Sequence, residues 1–295
     1  MSIAAIGYLR IAATDTNAWM TFGTDILGLM DAKREDAAGA RFLRMDNHPF
    51  RFMVESAEQD GLLAAGLELR GRSEWLDLCD RLRAAGHTLE DGPAAEAARR
   101  CVTAYVTVQD PCGNTLELYY GRRLDYAPLI SPVGIKQFIT GDEYTGDMGF
   151  GHAVLPTPDL DAAASFYTEL LGLSVSDTLY PPMPEGAPET TILFMHADNP
   201  RQHSLALYNH PYGGGIVHMM VEVSSLDEVG RALERAKAGG YPILASLGRH
   251  VNDNMCSFYV VAPGGIAVEY GYDGLLVDWD TYTPTVSTEG DHWGH

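Results

Sequence analysis

Basic residues are scarce in this chain: 20 Lys and Arg stand against 40 Asp and Glu, a formal net charge of −20 at pH 7. So acidic a surface repels phosphate backbones and anionic headgroups, which argues against a nucleic acid or a membrane surface as partner. Long apolar runs are missing as well. Nothing approaches the ~20 consecutive apolar residues that a membrane-spanning helix needs. The opening "MSIAAIGYLRI" has no basic stretch ahead of an apolar segment, so it does not read as a secretory leader. The four cysteines (Cys79, Cys101, Cys112, Cys256) show no CxxC spacing, which suits reduced, mostly buried thiols in a cytoplasmic protein. What remains is ordinary globular material: 46% hydrophobic and 20% charged residues in a chain of 295, long enough for two domains.

The chain repeats itself. "GYLRIAATDTNAWMTFGTDILGL" (7–29) and "GFGHAVLPTPDLDAAASFYTELLGL" (149–173) each run from a glycine-led strand through a turn and a helix to Leu-Gly-Leu. "GLELRGRSEWLDLCDRLRAAGHTL" (66–89) parallels "HMMVEVSSLDEVGRALERAKAGGYPI" (218–243), each a strand, an amphipathic helix and a glycine stop. "DPCGNTLELYYG" (110–121) parallels "APGGIAVEYGYDG" (262–274), a turn before a strand carrying Glu117 or Glu269. Each half is doubled again, 7–55 with 62–120 and 149–209 with 216–273. The pattern predicts an α+β protein of four βαβββ modules, paired into two domains that each form a curved mixed sheet. The boundaries expected are 1–124, a proline- and glycine-containing connection at 125–147, 148–275, and a tail at 276–295. Trp279, Tyr282 and Trp293 should pack that tail back onto the domain.

The halves differ in histidine. Of ten, only His48 and His87 precede residue 149. His152 opens the first strand of the third module, His218 opens the first strand of the fourth, and Glu269 lies on that module's last strand. Equivalent strands of paired modules face one cleft, so these three can converge. Two imidazoles and one carboxylate with open positions form the facial triad of non-haem Fe(II) oxygen enzymes, although zinc accepts the same donors. In the first half the matched positions are Arg10, Ala64 or Ala65, and Glu117. An arginine has no lone pair for a metal, so that half is expected to be vacant, with Arg10 paired to Glu117. His48, His196 and His210 are given no functional role, and His292 and His295 are assigned to the native tail.

The chain resembles the type I extradiol catechol dioxygenases of the vicinal oxygen chelate superfamily, the 2,3-dihydroxybiphenyl 1,2-dioxygenases and 1,2-dihydroxynaphthalene dioxygenases above all. The most specific stretch is "LGRHVNDNMCSFYVVAPGGIAVEYGYDG" (247–274), supported by "FMHADNPRQHSLAL" (194–207) and "FITGDEYTGDMGFGH" (138–152). The resemblance implies a vicinal oxygen chelate (glyoxalase-like) fold. It implies Fe(II), with Mn(II) as the alternative, on His152, His218 and Glu269. It also implies a distal acid–base residue at His203, catechol-contacting His250 and Tyr259, and a polar pair, Asn252 and Asp253, on the substrate side. The implied reaction opens a catechol ring beside its hydroxyls and inserts both atoms of dioxygen, in a homo-oligomer, octamer or dimer. One departure is "IVHMMVEV" (216–223), where many relatives carry two adjacent histidines and this chain only the second. Another is the proline-rich "YPPMPEGAPETT" (180–191) beside the expected substrate pocket.

Plainer roles exist for each second-sphere candidate. His203 lies in an alternating strand where a polar residue can simply fill a hydrogen-bond slot. His250 and Asn252 lie in a loop where a capped turn would suffice, and Tyr259 can be core. Two other functions share the fold: a glyoxalase-like metal isomerase, which usually needs further acidic ligands, and a non-catalytic drug-sequestering protein, which needs no triad.

Overall fold

The structure, a computed structural model, describes residues 3–295. The first module runs β1 (Ile3–Ala13), α1 (Thr16–Thr21), β2 (Met30–Asp31), β3 (Arg41–Arg44) and β4 (Phe52–Ser56). The second runs β5 (Gly61–Leu69), α2 (Arg72–Ala84), β6 (Glu90–Asp91), α3 (Ala94–Arg99), β7 (Ala104–Gln109) and β8 (Thr115–Tyr120). A short hairpin of β9 (Gly141–Asp142) and β10 (Gly146–Asp147) precedes the third module: β11 (Ala153–Pro156), α4 (Leu160–Ser165), β12 (Ser174–Leu179), β13 (Ile192–His196) and β14 (Leu205–Tyr208). The fourth comprises β15 (His218–Glu222), α5 (Leu226–Ala238), β16 (Ile243–His250), β17 (Cys256–Val261) and β18 (Ala267–Tyr272), and the tail adds β19 (Thr285–Ser287) and β20 (Asp291–Trp293).

Two mixed sheets result. The eight-stranded sheet has the order β2-β3-β4-β1-β5-β8-β7-β6, and the ten-stranded sheet has β19-β12-β13-β14-β11-β15-β18-β17-β16-β20. Stripped of its two tail strands, the second order is the first one repeated. In each sheet the first strands of two modules pair antiparallel at the centre, β1 with β5 and β11 with β15.

The repeat is written in local chemistry. Asp15 and Asp159 cap α1 and α4 by accepting from Ala18 N and Ala162 N. Both helices then widen into one π-helical turn, Phe22–Ile26 and Phe166–Leu170. Gly28 (φ 76) and Gly172 (φ 77) end them in the left-handed conformation. Leu-Gly-Leu is thus a helix stop. The carbonyls left at those ends are satisfied by the opposite half: Arg81 Nε donates to Leu170 O at 2.8 Å and Arg235 Nη2 to Ile26 O at 2.7 Å. The halves also share one buried apolar cluster, with Trp19, Phe22, Leu67 and Leu118 from one and Phe150, Tyr167, Phe258 and Tyr270 from the other. Two tail aromatics lie against the third module. The Trp279 ring lies flat on His196 (3.3 Å between centroids, 7° between planes), and Tyr282 donates to Ser176 O at 3.3 Å. Trp293 remains half-exposed.

Candidate metal centre and active site

The centre of the ten-stranded sheet carries the site. Glu269 lies on β18, opposite Met220 of β15. His218 is the first residue of β15, and His152 stands one residue ahead of β11. Gly151 (φ +151) makes the approach of His152 possible, because a Cβ there would come within 2.0 Å of the Met220 carbonyl oxygen. Met220 N then donates to His152 O at 2.8 Å and locks the crossing.

Three donor atoms converge. His152 Nε2 lies 3.1 Å from His218 Nε2 and 3.1 Å from Glu269 Oε2, and His218 Nε2 lies 3.5 Å from that same oxygen. A metal held by ~2.1 Å bonds at right angles needs donors about 3.0 Å apart, and at tetrahedral angles about 3.4 Å apart. The observed triangle spans that range, so the residues present fit a small divalent ion. His152 Nδ1 is buried and has no hydrogen-bond partner among the described residues. A cluster in the first half is less suited. Asp46, His48 and Asp147 surround Arg51, which pairs with both carboxylates.

Around the triangle stand the second-sphere candidates. His250 Nε2 is 2.8 Å from the Tyr259 hydroxyl and 3.2 Å from Glu269 Oε1. Ser257 Oγ donates to Glu269 Oε1 at 2.7 Å. The His203 ring packs against that of His152 with centroids 4.2 Å apart, and its Nδ1 faces Gln202 Oε1 at 2.7 Å and Asp253 Oδ2 at 3.8 Å. Asn252 Oδ1 accepts from Asp253 N, and Asp253 Oδ1 from Met255 N, so both side chains brace their own turn.

Burial and partners oppose each other here. Burial pushes the Glu269 carboxyl up, but hydrogen bonds from His152, His218 and His250 outweigh it and hold it well below the usual range. Burial lowers His152 to about 4 despite the Glu269 contact, and it holds His203 well below 6.5, with the nearby His152 adding to the effect. Burial would lower His250 too, yet its bonds to Asp291 and Glu269 raise it well above 6.5. Asp253 is raised to about 6 and Tyr259 well above 10, each chiefly by burial.

Known proteins resemble this chain along its whole length. The Glyoxalase/Bleomycin resistance protein/Dioxygenase superfamily matches residues 149–270, and Dihydroxybiphenyl dioxygenase BphC D1 matches residues 6–56. An iron-dependent extradiol dioxygenase of Rhodococcus jostii (strain RHA1) is 40% identical over 100% of this chain and 97% of its own. A biphenyl-2,3-diol 1,2-dioxygenase of Paraburkholderia xenovorans (strain LB400) is 38% identical over 100% and 96%. The chain belongs to the extradiol dioxygenase family. Among solved structures, that of BphC, a halotolerant catechol dioxygenase, superposes with a TM-score of 0.90 at 34% identity, covering 100% of this chain and 94% of that one.

In this extradiol dioxygenase the first half carries different side chains at the matching positions. Strand register corrects one expectation: the counterpart of His152 is Tyr8, not Arg10. Leu9 pairs with Phe52 where Ala153 pairs with Leu205, and Tyr8 faces Gly66 where His152 bonds Met220. Gly66 pairs with Glu117 as Met220 pairs with Glu269, which makes Ala64 the counterpart of His218. Tyr8 and Arg10 lie on one face of β1, and both reach Glu117. Its carboxylate accepts from Tyr8 (2.6 Å), Arg10 Nη1 (2.7 Å) and both Nε and Nη2 of Arg100 (2.7 and 2.8 Å). The expected Arg10–Glu117 pair exists, with Arg100 as a further partner. Sequence reasoning also missed Ser257, Gln202 and the tail residues Asp291 and His295. The tail's own signal was "DHWGH", two histidines and an aspartate within five residues.

Proposed function

We propose that the protein cleaves bicyclic catechols of the 2,3-dihydroxybiphenyl kind in the extradiol manner, with one Fe(II) per chain held by His152, His218 and Glu269. In this reading residues 148–275 form the catalytic domain, 1–124 the copy without a metal, and 125–147 the connection. The convergence of the three donors beside the His250–Tyr259 pair and His203 supports it best. The curated relatives named as extradiol and biphenyl-2,3-diol dioxygenases support the substrate class. Mn(II) would suit the same donors.

When bound, the metal would supply a Lewis-acid centre for both catechol oxygens and a conduit of electron density to dioxygen. The chain's own groups do the rest. Tyr259, kept a neutral phenol by burial, and His250 Nε2 form a polar edge that would orient the catechol oxygens and favour the monoanion. His203 commits Nδ1 to the Gln202 side-chain oxygen Oε1, which would leave Nε2 to take up a proton and return it as the oxygen–oxygen bond breaks. Burial keeps that imidazole neutral at rest and ready to accept. Asn252 and Asp253 would border the substrate through the turn they brace. The product expected is a yellow 2-hydroxymuconate-type acid.

The test supplies metal-free protein with Fe(II) or Mn(II) and 2,3-dihydroxybiphenyl, 1,2-dihydroxynaphthalene or catechol. Oxygen uptake and the yellow product are followed together. Cleavage between the hydroxyls, or no oxygen uptake with any of the three, would refute the proposal.

A further inference from the structure

The ten-stranded sheet has something its eight-stranded counterpart lacks: its two outermost strands come from one short stretch of tail. β19 adds to β12 in parallel (Asp177 opposite Thr285), and β20 adds to β16 antiparallel (His250 opposite Asp291). Residues 288–290 alone separate them. The tail therefore joins both open edges of the sheet and closes it around the site. The fit is made by glycine. A Cβ on Gly248 would come within 2.6 Å of the His295 ring, and one on Gly294 (φ +84) within 2.3 Å of Leu247 O.

This closure delivers a carboxylate to the back of a site residue. Asp291 Oδ1 lies 2.7 Å from His250 Nδ1, nearer than Gly290 O at 3.4 Å, and 2.7 Å from His295 Nδ1. His295 Nε2 in turn lies 3.1 Å from Ser257 O, on the strand whose Ser257 hydroxyl holds Glu269. An imidazole bonded at Nδ1 to a fixed carboxylate has its ring plane set, and its Nε2 is then aimed where the ring allows. For His250 that direction is toward Tyr259 and Glu269.

We propose that Asp291 is a positioning residue that acts through His250, held in place by His295 and by the closure of the tail strands across the sheet. It touches no reacting atom; it fixes the ring that would meet the catechol. The inference rests on the assignment of His250 to the catechol side of the site.

The experiment is a double-mutant cycle between Asp291→Ala and His250→Ala in the full chain, with kcat/KM on 2,3-dihydroxybiphenyl, metal content and anaerobic catechol affinity as readouts. Asp291→Ala should lower kcat/KM by about 10- to 100-fold, the scale of a misplaced orienting group. The loss should fall mainly in KM and affinity, with metal content unchanged. Asp291→Asn keeps an acceptor oxygen at the same place and should recover most of the loss. In the His250→Ala background, Asp291→Ala should cost nothing further. Additive losses, unchanged activity in Asp291→Ala, or loss of metal in that variant would each overturn the proposal. If Asp291→Ala does not fold, Asp291→Ser, whose side chain is too short to reach His250, takes its place in the cycle. A separate readout needs no activity. In metal-free protein, nitrogen-15 spectra should show a slowly exchanging proton on His250 Nδ1 that Asp291→Ala abolishes. Wild-type protein that cleaves no catechol yet shows this proton defeats the functional assignment and not the clamp; active wild-type protein without it defeats the clamp.

Discussion

Removing Glu117 tests whether the first half is a vacant copy. The carboxylate is 1% exposed and accepts four hydrogen bonds, from Tyr8, Arg10 and the fork of Arg100, itself 2% exposed. Glu117→Ala leaves Arg100 buried beside an uncharged cavity. Breaking a buried pair in this way typically costs ~3–5 kcal/mol. The lower end applies, because Arg100 keeps Glu96 and Arg10 keeps Glu55. A loss of about 3 kcal/mol corresponds to a fall of about 6–12 °C in Tm at 2–4 °C per kcal/mol. Calorimetry on metal-free protein measures it. Metal per chain and kcat/KM per folded chain should stay at wild-type values, since nothing in this network touches His152, His218 or Glu269. The pH dependence has a definite sign. Burial pushes the Glu117 carboxyl up, but its bonds to Arg100 and the charge of Arg10 outweigh that and hold it below 4.5. A lowered folded value means the stabilisation is complete above the ordinary carboxylate range and is lost as pH falls through the folded value. The gap in Tm between wild type and Glu117→Ala should therefore narrow in acid. An unchanged Tm at pH 7, or loss of metal, would refute the reasoning.

Alanine at His152, His218 or Glu269 should abolish tight metal binding and ring cleavage while the fold survives; metal analysis with far-ultraviolet dichroism checks each, and a variant with near-normal metal removes its residue from the ligand set. His203→Phe should keep metal and catechol affinity while turnover falls by roughly 10²–10⁴; full activity would take His203 out of the chemistry, and missing metal would make it a ligand. Metal analysis of wild-type protein should give one ion per chain, and two would show that the first half is not vacant.

Most of this architecture was legible because the repeat was. Leu-Gly-Leu, the capping aspartates and the paired glutamates mark equivalent points in the two halves, and the histidines then mark the half that differs. The error over Arg10 shows the limit of such counting. The two opening stretches were matched at their leading glycines, Gly7 with Gly149, whereas the strands place Gly7 opposite Gly151, two residues on. A shift of two preserves the face of a strand. Arg10 therefore still reaches Glu117, and the ion pair was foreseen from the wrong partner. Arg100 was not foreseen, because α3 stands where the fourth module continues its strand β16 and "AAEAARR" resembles any exposed helix. Asp291 and His295 were hidden for a different reason. Their meaning depends on which strand the tail joins, and pairing across 40 residues leaves no periodic trace.

On the proposed reading, the two buried glutamates explain how one scaffold would hold a metal in one half and not in the other. Glu117 and Glu269 occupy the same strand position with the same burial, 1% exposed each. What differs is the charge delivered to them. The first half brings two guanidiniums, permanently cationic and without a lone pair, so Glu117 is neutralised by the chain and no donor is left over for an ion. The second brings imidazoles, and burial strips the proton from His152, lowering it to about 4. A carboxylate then faces nitrogen lone pairs, a donor set that a divalent ion would complete. On this account the first half cannot regain a site by one change. Tyr8→His restores an imidazole at the register position of His152, yet Arg10 and Arg100 still hold Glu117, so the variant should bind no second metal; stoichiometric uptake by Tyr8→His alone would show that charge supply does not decide the matter.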